Sequence, residues 1–188
     1  MAKRYKMYLG GNWVDSDEKI EVRSPYDSKP VGTVAAANAD HYTEAIKLAD
    51  EAFAVTRELP SYKREETCLA ISAGLEQNKE KFASMMSREL GKSLKDSRGE
   101  VTRAINVFKV AGEEAKRIGG EIMDLDWTPG TEQRFGLVRR FPRGVIGGIS
   151  PFNFPLNLVA HKVAPAIASG NTIVLKPASA TPILALML

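Results

Sequence analysis

Residues Arg143 to Pro182 read R-G-V-I-G-G-I-S-P-F-N-F-P-L-N-L-V-A-H-K-V-A-P-A-I-A-S-G-N-T-I-V-L-K-P-A-S-A-T-P. Gly144 to Ile149 is a short apolar run bounded by glycine and proline, the pattern of a strand buried on both faces. A polar-aromatic turn, Ser150-Pro151-Phe152-Asn153, follows it. From Pro155 to Ala168 apolar residues recur at helical spacing, Gly170 is placed to stop that helix, and Thr172 to Leu175 is a second β-branched run. The order predicts a β-α-β unit, which requires a parallel sheet, and in open α/β sheets ligands bind beyond the carboxyl ends of the strands. Those ends carry Ser150 to Asn153 and Lys176 to Ser179.

Downstream, Thr181-Pro182 has the form of a helix start, with Thr181 as the cap and Pro182 at the first helical position. The I-L-A-L-M-L that follows is almost wholly apolar and carries no stop signal, so the chain is expected to be part of a longer protein. Upstream, Thr128-Pro129-Gly130 is a turn, and Arg134 to Phe141 alternates like a strand in contact with solvent. Four helical patterns precede it. The first is capped by Asn38 or Asp40 and runs through Phe53, with Ala45, Ile46, Ala49, Ala52 and Phe53 on one face. The others run from Tyr62 to Asn78, from Lys79 to Leu90 with a stop at Gly91, and from Leu94 to Arg117 with an end at Gly119-Gly120. Earlier still, residues 5 to 14 alternate about Gly10-Gly11 as a hairpin does, Lys19 to Arg23 reads as a further strand, and Pro25 and Pro30 read as breaks.

Composition narrows the class. With 188 residues, 44% apolar and 26% charged, the chain reads as a soluble globular protein of one domain or a little more. It shows no signal peptide and no apolar run long enough to span a membrane, so a cytoplasmic location is the default. The net charge of +3 is scattered and no basic run is interleaved with aromatics, which speaks against a nucleic-acid surface. One cysteine excludes an internal disulfide, and two distant histidines, His41 and His161, argue against a zinc site.

The run I-S-P-F-N-F-P-L-N-L-V-A-H-K, with G-N-T-I-V-L-K-P-A-S-A-T-P after it, closely resembles the NAD(P)-dependent aldehyde dehydrogenases. The early hairpin, the S-P-Y-D segment at Ser24 to Asp27 and the long helices are similar to the N-terminal portion of that family, so the resemblance covers nearly the whole chain. It implies an α/β fold: part of a doubly wound parallel-sheet cofactor-binding domain, plus a projecting oligomerisation β-ribbon. On this reading residues 1–120 are the N-terminal helical part of the cofactor domain, 121–142 the oligomerisation hairpin, and 143–188 the start of the dinucleotide-binding core. Pairing of the ribbon with a second subunit, in a homodimer or homotetramer, would cover its exposed edges. The resemblance also places the family's nucleophilic cysteine and general-base glutamate beyond the stretch that this chain matches.

Several residues become site candidates. Asn153 alone has two even readings: a cap for the helix near Pro155, or an amide donor to an oxygen that gains negative charge when an aldehyde is attacked. The resemblance favours the oxyanion role. Lys176, otherwise an ordinary surface lysine, matches a lysine that binds the adenosine ribose. Ser179 stands where members that prefer NAD often carry a glutamate, so the uncharged hydroxyl implies that NADP is accepted, with or beside NAD. Ile149, Ser150, Pro151 and Phe152 match the segment that lines the cofactor.

Phe154, Leu158 and His161 share one helical face, which from spacing alone is a core face. The resemblance places them along the aldehyde entrance, with Lys162 in a proton relay. Arg103, by default a solvated helix charge, matches arginines that face anionic or hydroxylated substrates in the branch containing lactaldehyde dehydrogenases and non-phosphorylating glyceraldehyde-3-phosphate dehydrogenases. That branch can carry a tyrosine where this chain has Phe154, and losing the hydroxyl weakens the case for a phosphate-bearing substrate. A small hydroxylated or carboxylated aldehyde such as lactaldehyde, glycolaldehyde or succinate semialdehyde is the expected substrate class. Cys68 lies inside an amphipathic helix with Leu69, Ala70 and Leu75 nearby and reads as a small buried hydrophobe, not a nucleophile. The competing reading of the whole chain is a non-catalytic nucleotide-binding or assembly fragment.

Overall fold

The computed structural model describes residues 3–188. Three short strands open it: β1 (Lys3–Tyr5), β2 (Met7–Leu9) and β3 (Asn12–Val14). β2 and β3 form the expected antiparallel hairpin, and the turn residues Gly10 and Gly11 both take positive φ, which a residue without Cβ adopts at no steric cost. β4 (Lys19–Arg23) lies where alternation predicts it. Pro30 is not a break. It is the first residue of β5 (Pro30–Ala35), the middle strand of a three-stranded sheet ordered β1-β5-β4. Proline is tolerated at the first strand position, and the Val31, Val34 and Ala35 behind it are buried.

Helix α1 (Ala39–Thr56) begins with a reciprocal cap: Asn38 Oδ1 accepts the N–H of His41 at 3.0 Å, and His41 Nδ1 accepts the N–H of Asn38 at 3.2 Å. The apolar face expected on α1 is only partly covered. None of its residues is fully buried and Ile46 is exposed, because the helix rests on a single narrow layer, the strands β8 (Val145–Ile149) and β9 (Thr172–Lys176).

The core gathers around α4 (Leu94–Ala115), against which α2 (Ser61–Gln77), α3 (Lys79–Leu90) and α5 (Asn157–Ala168) all pack. Leu75, Met86, Val101, Phe108 and Leu156 are buried there, each stabilising the fold by about 1.5–3 kcal/mol through area removed from water. Small residues set the helix spacing. Ala104, Ala160 and Ala164 are fully buried between α4 and α5, and a Cβ at Gly112 would come within 3.2 Å of the Cβ of Cys68 on α2. Gly91, left-handed at φ 74°, ends α3 where the stop was expected.

β6 (Glu121–Asp124) and β7 (Phe135–Val138) pair antiparallel into a ribbon with large apolar side chains in solvent: Ile122 is 75% and Leu137 70% exposed. β8 and β9 pair in parallel, in register from Val145↔Thr172 to Ile149↔Lys176, with α5 as the crossover. This is the predicted β-α-β unit.

Two details of this unit differ from expectation. β8 is not buried on both faces: Gly148 is buried, but Ile149 is 73% exposed and Gly147 is open on the opposite face. Helix α5 begins at Asn157, two residues after Pro155, because Pro155 and Leu156 are buried in the turn that leads into it.

The last helix, α6 (Ile183–Met187), joins two cores: Ile183 packs with Tyr5, Val22, Val31 and Val34, and Leu184 with the α4 cluster. Its first turn starts after Pro182, and Thr181 does not cap it, since the Thr181 hydroxyl donates to the carbonyl of Phe152 at 3.5 Å. Among the described residues no helix is long and apolar enough to cross a membrane.

Candidate active site

The register Ile149↔Lys176 brings the ends of β8 and β9 side by side, and the N–H of Ser150 donates to the carbonyl of Lys176 at 3.1 Å, extending the ladder by one bond. Lys176 Nζ donates to the carbonyl of Pro177 at 3.3 Å and lies 3.5 Å from the hydroxyl of the exposed Ser179. Beside them the side chains of Ile149 and Phe152 stand open to solvent, as does Pro151, while Ser150 is buried. The strand ends therefore present apolar surface next to an ammonium and a hydroxyl, a pairing suited to a ligand with flat rings and ribose hydroxyls or phosphates.

Asn153 lies in the loop between β8 and α5, four residues ahead of the first helical residue, and caps nothing. Its side chain is exposed. The main-chain groups around it are held from α4 and the turn that precedes it. Lys92 Nζ donates to the Asn153 carbonyl at 3.2 Å and to Glu100 Oε2 at 2.6 Å. Glu100 Oε1 accepts the N–H groups of Leu156 and Asn157, at 3.1 and 3.2 Å, and so caps α5 from a neighbouring helix. The Glu100 side chain is 0% exposed and that of Lys92 17%.

Arg103 and Phe154 are brought together: the guanidinium lies 4.9 Å from the ring centre, and Lys92 Nζ lies 4.1 Å from the same ring. Lys162 donates to the carbonyl of Leu158 at 3.2 Å, and its side chain runs beside Gly148. His161 opens onto a different space, an apolar groove of about 550 Å³ between α4 and α5 with Val107, Val110 and Pro165 in its walls. Leu158 is half-buried and is not among the residues of that groove. Cys68 is fully buried, burial pushes its thiol pKa up, and its Sγ points at the carbonyl of Ala164, 3.9 Å away.

Sequence reasoning missed Lys92, Glu100 and Glu89. Glu89 is buried at the end of α3 and accepts the N–H of Ile183 at 2.7 Å and of Leu184 at 3.3 Å. Burial raises its carboxyl pKa to about 7, and the two N–H groups oppose that rise. A signal for both glutamates exists: Glu100, Ala104 and Phe108 fall at helical spacing on one buried stripe, as do Phe82, Met86 and Glu89. A charge inside an apolar stripe needs partners.

The aldehyde dehydrogenase family profile matches residues 13–188. The chain belongs to the aldehyde dehydrogenase family. This aldehyde dehydrogenase chain is 41% identical over 187 residues to the 3-sulfolactaldehyde dehydrogenase of Priestia aryabhattai, covering 100% of this chain and 39% of that protein. It is 35% identical over 182 residues to the lactaldehyde dehydrogenase of Methanococcus aeolicus, covering 97% and 38%. Among solved structures, aldehyde dehydrogenase 21 from Physcomitrella patens, crystallised with the reaction product succinate, superposes with a TM-score of 0.96 at 41% identity, over 100% of this chain and 39% of that one. The NADP-dependent glyceraldehyde-3-phosphate dehydrogenase from Bacillus halodurans, complexed with NADP, gives a TM-score of 0.93 at 32% identity, over 98% and 39%. The chain thus spans about two fifths of the length of these relatives.

Proposed function

We propose that this chain is the N-terminal, cofactor-binding portion of a cytoplasmic dehydrogenase that oxidises a small aldehyde to its carboxylic acid with NAD or NADP. The observation that carries this reading is the strand-end constellation: Lys176 and Ser179 beside exposed Ile149 and Phe152, with Asn153 on the adjoining loop. These residues fit a dinucleotide. Lys176 supplies a cationic donor to ribose or phosphate oxygens, Ser179 a hydroxyl without negative charge, and the segment Ile149, Ser150, Pro151, Phe152 an apolar wall and main-chain groups. When bound, the cofactor accepts hydride from the substrate carbon.

In this reading Asn153 directs its amide N–H at the substrate oxygen, which gains negative charge when a thiolate attacks the aldehyde to form a thiohemiacetal. Cys68 is excluded as that thiolate by burial, so the attacking cysteine comes from the remainder of the enzyme, with water then releasing the acid from the thioester. Lys162 takes part in proton movement behind the strand end. Arg103, Phe154 and Leu158 shape the entrance and favour a hydroxylated or carboxylated aldehyde such as lactaldehyde, glycolaldehyde or succinate semialdehyde, whereas His161, which opens onto the groove between α4 and α5, stands apart from it. The names of the similar dehydrogenases support that class. Residues 1–120 and 143–188 form the cofactor part, and 121–142 the ribbon that joins copies in a homodimer or homotetramer.

The burial of the one cysteine supports a second reading for the 188-residue chain alone, binding of cofactor without turnover. The deciding experiment is the intact mass of the natural protein together with its reduction of NAD+ and NADP+ by the three aldehydes. Turnover at a mass well above 20.6 kDa supports the enzyme reading. A 20.6 kDa protein that binds neither cofactor overturns both.

A further inference from the structure

We infer that the buried Glu100 and its partner Lys92 form a positioning couple that sets the height and orientation of the Asn153 loop over the strand ends. The inference rests on the reading of Asn153 as the oxyanion donor. Lys92 is itself rigidly delivered. Gly91 turns the chain in the left-handed region, Ser87 Oγ on α3 donates to the Lys92 carbonyl at 2.8 Å, and Ser93 Oγ accepts the N–H of Asp96 at 3.1 Å as the cap of α4. The Lys92 ammonium then makes two bonds, to Glu100 Oε2 and to the Asn153 carbonyl. The other oxygen of Glu100 holds Leu156 and Asn157.

One carboxylate and one ammonium thus pin the loop at two places: at its middle through the carbonyl of Asn153, and at its exit through the N–H groups of Leu156 and Asn157 at the start of α5. The Phe154 ring, between these anchors, lies against the same ammonium. Hydrogen bonds with an ionised partner are shorter and about twice as strong as neutral ones. The three bonds that hold this loop to α4 and the turn before it all go to main-chain atoms, so their product is backbone geometry. The side chain of Asn153 remains exposed and free to act.

Neither Lys92 nor Glu100 touches the substrate in this account. They act through Asn153, which gives the inference a signature in coupling. Misplacing a reacting group by about 1 Å costs on the order of a hundredfold in rate.

Two measurements test it. In the 188-residue chain, Glu100→Gln is expected to speed amide hydrogen exchange at Leu156 and Asn157 by about fivefold or more, while the β8 amides of Ile146 and Gly148 keep their protection. Equal acceleration everywhere would mark a global stability effect, and no acceleration an unused carboxylate; either overturns the inference.

In the active enzyme, Lys92→Met is expected to lower kcat by roughly ten- to a hundredfold with little change in aldehyde KM, and to add nothing further in an Asn153→Ala background. Lys92→Met combined with Glu100→Gln, which leaves no buried ion unpaired, serves if the single variant does not fold. Additive losses overturn the positioning role. If Asn153→Ala itself leaves kcat unchanged, it is the oxyanion reading that fails, whatever hydrogen exchange shows.

Discussion

The carboxylate of Glu89, in the last turn of α3, accepts the main-chain N–H of Ile183 at 2.7 Å, where α6 begins. It fastens the segment that follows Lys176 and Ser179 to the helical layer, as Glu100 fastens the segment that follows Asn153. Each loop at the carboxyl end of the parallel pair is therefore held by one buried glutamate. The two differ in their counter-charges: Glu100 has Lys92 at 2.6 Å, and among the described residues Glu89 is held by N–H groups alone.

That difference makes stability depend on pH. Burial raises the Glu89 carboxyl from 4.5 to about 7, so the folded protein favours its neutral form. A raised pKa contributes stability that is complete below the unfolded value and is lost as pH rises through the folded one. At about 1.4 kcal/mol per tenfold change in proton affinity, the loss between pH 4.5 and 7 is on the order of 3 kcal/mol. Urea unfolding at pH 5 and pH 8 should show this loss in the wild type and not in Glu89→Gln. Parallel pH profiles for the two proteins would show that Glu89 does not titrate in that window.

Cys68 should behave as an inert core residue. A thiol-specific reagent is expected to label it only after unfolding, because the side chain is fully buried and its pKa is raised. Cys68→Ala should cost about 1 kcal/mol, near the lower end of the range for removing buried atoms. Rapid labelling of the native protein would contradict the buried placement.

Cofactor choice should turn on Ser179. Ser179→Glu places a carboxylate beside Lys176, with which the hydroxyl is now 3.5 Å apart, and repels a 2′-phosphate. NADP binding, followed by titration calorimetry, should weaken by about tenfold or more while NAD binding holds, since like-charge juxtaposition costs more than the 1.4 kcal/mol that a factor of ten requires. Equal weakening of both would show that this side chain does not face the ribose.

The β6–β7 ribbon carries Ile122 and Leu137 into solvent. If a second copy covers them, Ile122→Glu with Leu137→Glu should reduce the mass measured by light scattering and leave the circular dichroism spectrum unchanged, because neither side chain belongs to the core of its own chain. An unchanged mass would remove the ribbon from the assembly interface.

Much of this fold was legible in the chain. The β-α-β unit follows from apolar runs and glycines, α3 ends at Gly91 because only a left-handed residue closes it there, and the hairpin at Gly10-Gly11 rests on two positive φ angles. β5 was hidden because Pro30 reads as a break, whereas at the first position of a strand it loses no ladder bond. The burial of β8 was overestimated because an apolar run reports what a strand could bury, not what covers each of its faces.

The site divides in the same way. Asn153, Lys176 and Ser179 are consecutive-chain features: residue types at the ends of predictable strands, which local pattern places without knowing what lies opposite. Lys92, Glu89 and Glu100 act across 56 to 95 positions of sequence on main-chain atoms that carry no side-chain signature. Sequence by itself determined the succession of helices, the β-α-β unit and the chemistry available at the strand ends, because propensity, turn chemistry and periodicity are local. Only the tertiary structure decided which buried charge holds which loop, because that depends on helix packing, which brings distant residues to within hydrogen-bonding distance.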